Sequence, residues 1–207
     1  MALPRELDQV IYGGLQALAS NANGELVLRF RRKIWRAFGP VVLDGKKAVI
    51  GDALIRRTRL AHRCASQVLP IWYQAFQGDN HPERMLTTAQ RYLRGDISWD
   101  AAWEIKNRSW SKLDDLINEG KHLNAVYTGY SAANVITTAL SDERFALPEV
   151  KAAQLDDDLD PYEWDASFCA SIAYANGAPW DDQSNKERRR EFWKWYLSAA
   201  IPEIWKG

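Results

Sequence analysis

The residues able to do chemistry in this sequence are few, and their spacing does not suit it. His62 and Cys64 lie two apart in a helical stretch, so they face different ways and cannot act together as base and nucleophile. Cys64 and Cys169 both sit in apolar helical surroundings, which favours buried free thiols over a disulfide. His81 falls in a turn and His122 follows a Gly-Lys pair, so solvated or capping roles are expected for both. No His-Glu-x-x-His or Cys-x-x-Cys spacing points to zinc. Asp156, Asp158 and Asp160 occupy positions 1, 3 and 5 of a possible calcium loop, but position 6 is Pro161 rather than Gly and position 12 is Ser167 rather than Glu. Those two positions carry the sharp turn and the bidentate ligand, so the loop fails where its geometry is most demanding. There is no phosphate-cradling Gly-rich loop, nucleophile elbow or kinase motif set. The expectation is a protein with no catalytic residue, no cofactor and no metal.

Charge says more. The chain is neutral overall, yet residues 1–65 carry a balance of +7 and residues 141–183 a balance of −9. A chain polarised in this way is a poor general nucleic-acid binder, and the arginines from Arg29 to Arg36 belong to an amphipathic helix rather than a recognition surface. Either the two blocks face each other in the fold, or one of them faces a charged partner. The ten tryptophans are the other anomaly. Most are expected to seal helix–helix contacts, and any left exposed would suit an interface.

The elements that would position these residues are helices. From Asp52 to Gly95, apolar residues recur every three or four positions: Leu54, Ala61, Ala65, Val68, Trp72 and Phe76 on one helix, Met85, Leu86, Ala89, Tyr92 and Leu93 on the next. Gly78-Asp79-Asn80 turns the chain between them, and Pro70 predicts a kink or break in the first. Neither helix can bury its stripe alone, so the two must pack together. Earlier lie a first helix over Leu7–Leu18, weakened by Gly13-Gly14, and a basic helix over 29–38. In the latter, Phe30, Ile34, Trp35 and Phe38 face one way and Arg29, Arg32, Lys33 and Arg36 the other. Val41-Val42-Leu43 is strand-like but has no evident partner, and reads as loop. Later come a helix over 99–119 capped by Ser98, then one lined by Val126, Tyr130, Ala133, Ile136 and Leu140. Asp160-Pro161-Tyr162-Glu163 predicts a helix start, and Ser184 with Glu187 predicts a capping box for the last helix, which Pro202 should kink. The fold expected is all-α: one domain over residues 1–207, a multi-helix bundle of about eight helices with little or no strand. No stretch is long and apolar enough to span a membrane, and MALPRELDQ lacks the apolar core of a signal peptide, so a cytoplasmic protein is expected.

A family resemblance rests on several of these residues. The basic run, Cys64-Ala65, Val68-Leu69-Pro70-Ile71-Trp72, the aromatic Phe76, the Asp79-Asn80-x-Pro82 turn and the Tyr92-Leu93-x-Gly95 helix end resemble the immunity proteins of bacterial polymorphic-toxin systems, fifth (Imm5-like) class. Ala132-Ala133, Trp164-Asp165 and Arg190-Glu191-Phe192-Trp193 fit the same pattern. The resemblance is close over residues 54–95 and looser over 30–205. It implies a non-enzymatic protein, monomer or homodimer, that binds a cognate toxin and blocks it. The expected contact surface is acidic, because many toxin active sites bind anions: Asp156, Asp157, Asp158 and Asp160, with Trp180, Asp181 and Asp182 beside them. Two other readings stay open: a helical-bundle metal-dependent enzyme with core carboxylates, and a scaffold that self-associates through exposed tryptophans.

Overall fold

A computed structural model of the chain describes residues 3–142 and 154–207. Its helices are α1 (Arg5–Ser20), α2 (Leu28–Ala37), α3 (Asp52–Ala75), α4 (His81–Leu93), α5 (Trp99–Asn118), α6 (Leu123–Ser141), α7 (Ala166–Ala175), α8 (Lys186–Trp195) and α9 (Ile201–Lys206). A π turn over Tyr196–Ala200 carries α8 directly into α9. The protein is an all-α multi-helix bundle. Among the described residues no helix is long and apolar enough to cross a membrane.

Helix α6 is the axis of the bundle. Its alternation of small and branched residues leaves nearly every position buried, from Ala125 to Ser141. It packs against α3, α4, α5 and α7. Gly129 lets α5 and α3 close in: a Cβ there would collide with Leu113 and come within 3.1 Å of Trp72. Trp35, Trp72, Trp110, Trp164 and Trp193 are buried in helix contacts, whereas Trp180 is 47% exposed.

Several local expectations are corrected. Pro70 does not break α3, which runs unbroken from Asp52 to Ala75 with Pro70 on its solvent side. Packing of Val68 and Trp72 in the core holds the helix through the missing hydrogen bond. The strand-like Val41-Val42-Leu43 does find a partner: Leu43–Asp44 (β1) pairs antiparallel with Lys47–Ala48 (β2) across a tight turn in which Gly45 has φ +59°. Lys47 gives no strand signal, which hid the pairing. The Asp160-Pro161 start yields only a 3-10 turn over Pro161–Glu163, and α7 begins after a second cap, Asp165, whose carboxylate accepts the Ser167 and Phe168 N–H groups. The last helix is capped by Asn185 rather than Ser184, with the Asn185 side chain accepting the Arg188 N–H at 3.0 Å. Arg32, expected on the solvent side of α2, is buried and donates to Gln154 at 3.1 Å.

Candidate protein-binding site

The acidic stretch after residue 154 is fastened to the bundle from below by one arginine. Arg31, fully buried on α2, donates from Nη1 to Asp156 Oδ2 at 3.1 Å, from Nε to Asp165 Oδ2 at 3.1 Å and from Nη2 to both carboxylates. Its Nη1 also reaches the Leu26 carbonyl at 2.8 Å and Glu25 at 3.4 Å. The guanidinium lies 5.2 Å from the Phe168 ring centroid and 5.3 Å from that of Trp193. A buried cation needs this density of acceptors, because desolvation otherwise outweighs the attraction. Burial works to discharge Arg31, but Asp156 and Asp165 outweigh it and hold the proton more firmly than usual. Burial also raises the carboxyl of Asp156 despite Arg31, while Asp165 ends below the ordinary range because Arg31, the Ser167 hydroxyl and the Phe168 N–H together overcome its desolvation. A second buried pair holds the end of α6: Arg57 grips Asp142 bidentately, Nε to Oδ1 at 2.8 Å and Nη2 to Oδ2 at 2.6 Å. The basic and acidic blocks of the chain therefore do meet in the fold, through these two arginines.

Above Arg31 the loop turns outward. Asp156 points inward and is buried, so among the expected surface residues its carboxylate belongs to the interior. Asp157, Asp158 and Asp160 are exposed. Asp158 accepts the Leu155 N–H at 2.9 Å and Asp160 accepts the Tyr162 N–H at 2.9 Å. The three aspartates of the calcium-like spacing thus serve an arginine and two turns. No group of three or more metal-ligating side chains converges among the described residues.

Trp164 joins the loop to the second expected segment. Its Nε1–H donates to the Asp156 carbonyl at 2.8 Å, and its ring lies 5.9 Å from that of Trp180. Trp180, Asp181 and Asp182 therefore sit beside the loop, all three exposed. Asp181 is partly engaged, its carboxylate accepting the Ala178 N–H at 2.6 Å. A row of aromatic rings continues from Trp164 through Tyr127, Tyr130 and Trp110 to Tyr162 at centroid spacings of 6.3, 6.2, 4.9 and 5.0 Å. Tyr162, 56% exposed, donates to Asp114 at 2.9 Å; Tyr130 donates to the other oxygen of the same carboxylate at 2.6 Å. The result is an acidic surface with two exposed aromatics, Tyr162 and Trp180, seated on a packed aromatic base. Tyr162 escaped the sequence reading because a tyrosine just inside a helix start carries no sign of exposure.

Cys64 and Cys169 are both buried free thiols. His62 lies on another side of α3 from Cys64, bonded to Ser66 and Gln90. His81 is the exception to the expected solvated role. It is buried against Trp72 at 5.9 Å between ring centroids, with Nε2 2.9 Å from Ser109 Oγ. Burial pushes its pKa down to about 4. Asp79 accepts the His81 N–H at 2.7 Å, which anchors the first residue of α4 as the chain turns into the helix.

No curated protein matches the chain. The family model described as Immunity protein Imm5 matches residues 11–203, nearly the whole length, and the chain therefore belongs to the Imm5 immunity protein family.

Proposed function

We propose that this protein is an immunity factor that neutralises a cognate bacterial toxin by direct contact in the cytoplasm of the cell that makes both. Its contact surface is the acidic, aromatic face built from Asp157, Asp158, Asp160, Tyr162, Trp180, Asp181 and Asp182. The observation that carries this reading is the Trp164–Trp180 contact, which sets an exposed tryptophan beside an exposed acidic loop. Large aromatics anchor protein interfaces, and a like-signed rim steers an oppositely charged partner during approach. The Arg31 cluster supports the same reading, because a loop held by a buried ion cluster loses little freedom on binding.

The test is co-expression with the toxin encoded next to this protein, followed by pull-down, growth rescue and stopped-flow association. Lysine at positions 157 and 158 should slow association and flatten its salt dependence, and Trp180→Ala should speed dissociation. Association and dissociation rates unchanged in both variants, with toxin still bound, would move the interface elsewhere. Failure of the protein to bind or protect against that toxin would remove the function itself.

A further inference from the structure

Away from the residues of the acidic face, a groove of about 540 Å³ opens between α3, α4 and the end of α9. That volume lies in the range of small-molecule sites. Helical spacing sets its lining: Ile55, Arg59 and His62 follow one side of α3, while Leu93 and Arg94 come from the last turn of α4, and Ile204 closes one end. The walls therefore combine apolar side chains, Ile55, Leu93 and Ile204, with the guanidiniums of Arg59, Arg63 and Arg94. His62 forms part of the lining with both ring nitrogens engaged, Nε2 2.8 Å from Gln90 Nε2 and Nδ1 3.2 Å from Ser66 Oγ. A Gln90 amide that donates to Nε2 leaves the proton on Nδ1, so the ring is neutral, and burial lowers its pKa in the same direction.

The guanidiniums of this groove are not all balanced. Arg63 pairs with Glu203 at 3.2 Å and Arg94 with Asp96 at 2.9 Å, both with carboxylates about half exposed. Arg59 has no carboxylate partner among the described residues. One uncompensated guanidinium thus stands over an apolar concavity, with two others nearby whose partners are exposed enough to yield. That arrangement fits a ligand with an anionic head and a short apolar body. Arginine presents a planar donor fork that suits carboxylate and phosphate oxygens alike.

We propose that the groove between α3 and α4 binds a small amphiphilic oxyanion, a carboxylate or phosphate on a short aliphatic stem, with Arg59 holding the head and Ile55, Leu93 and Ile204 the stem. This site is separate from the acidic face and does not depend on it. Because the groove spans three elements, occupancy ties the C-terminal helix to α3 and α4.

The test is titration of the full chain with hexanoate and with hexyl phosphate, followed by amide NMR shifts. Inorganic phosphate and 1-hexanol serve as head-only and stem-only controls. Saturable shifts confined to residues 55–63, 89–94 and the end of α9 are expected, with the better of the two probes identifying the head group. Arg59→Gln, an exposed position, should weaken that probe about tenfold, and both controls should bind more weakly than it. Arg94→Gln provides a second variant and should weaken it by a smaller factor. No saturation with either probe up to about 20 mM would overturn the proposal, as would affinity unchanged in both variants or shifts centred elsewhere. Displacement of the probe by hexaglutamate at equal carboxylate concentration would overturn it too, since the groove would then be reading charge alone.

Discussion

Arg31 and Asp165 are 134 positions apart in the chain and meet in the interior at 2.9 Å. The same Asp165 carboxylate caps α7 with its other oxygen, accepting the Phe168 N–H at 3.0 Å. One side chain therefore starts a helix and holds an arginine from a distant part of the chain. Asp156 shares that arginine, and through the Asp156 carbonyl the Trp164 indole is held as well. The ion cluster is in this sense the foundation of the acidic face rather than part of it.

Replacing Arg31 should cost far more than the cluster contributes in total. Arg31→Met leaves Asp156 and Asp165 buried without their cation, and removal of one partner from a buried pair costs about 3–5 kcal/mol. Arg31→Lys should recover only part of this, because an ammonium cannot reach both carboxylates with a fixed fork. Urea unfolding of the three proteins checks the order, wild type above lysine above methionine. A lysine variant as stable as wild type would show that the forked geometry does not matter.

Glu25 makes the cluster sensitive to pH. Three carboxylates, Glu25, Asp156 and Asp165, face two guanidiniums, Arg31 and Arg189, and burial pushes Glu25 up to about 8 despite the pull of Arg31. The folded state thus keeps a proton that the unfolded chain releases near the ordinary value of 4.5. The associated stability is fully present below that value and is lost as pH rises through about 8. Asp156, also raised, adds in the same direction, while His81, lowered to about 4, acts oppositely as pH falls below 6.5. Glu25→Gln removes the first contribution alone. Between pH 5 and 8.5 wild type should therefore lose stability relative to this variant by on the order of a few kcal/mol. Parallel stability curves for the two proteins across that window would refute the assignment of the proton to Glu25.

The same residues mark where the sequence could and could not be read. The stripes of α3 and α4 were legible because period and turn chemistry are local, whereas the 156–160 and 180–182 segments could be grouped only by their shared charge, and the contact that joins them, Trp164 with Trp180, is visible only in the fold. Nothing local separates Arg31 from Arg29 or Lys33, since the carboxylates that draw it inward lie 125 and 134 positions away. The start of α7 was misplaced for a related reason. Asp160-Pro161 and Trp164-Asp165 both carry a capping carboxylate, and only the burial of Asp165 against Arg31 decides which one begins the long helix.

Pro70 offers a stabilising change. The helix runs through it, so the native state already bears the lost N–H bond to the Ser66 carbonyl and the crowding of the ring. The side chain is solvent-exposed, and its replacement opens no cavity. Pro70→Ala should raise stability by about 1–3 kcal/mol, offset in part by the freer unfolded chain. Thermal melting checks it. A lower melting temperature would mean that Pro70 sets a bend on which the packing of Trp72 depends.

Gly24 should tolerate no side chain. It turns the chain between α1 and α2 with φ +66°, a conformation that costs an alanine about 1 kcal/mol or more. A Cβ there would also collide with the Lys186 carbonyl and come within 3.2 Å of the Arg190 amide nitrogen, both backbone atoms of α8 that cannot rotate away. The neighbouring contacts share the strain: Arg189 donates to the Asn23 carbonyl at 3.0 Å and Arg190 to the Asn21 carbonyl at 2.8 Å. Gly24→Ala should therefore separate the 21–24 turn from α8 and lower stability by about 3 kcal/mol or more. Gly45→Ala is the control, since Gly45 has a similar φ of +59° with nothing within 4 Å of its would-be Cβ. It should show the backbone cost alone, about 1 kcal/mol. Equal losses for the two variants in chemical unfolding would mean that α8 moves aside freely and that the turn is not fastened to it.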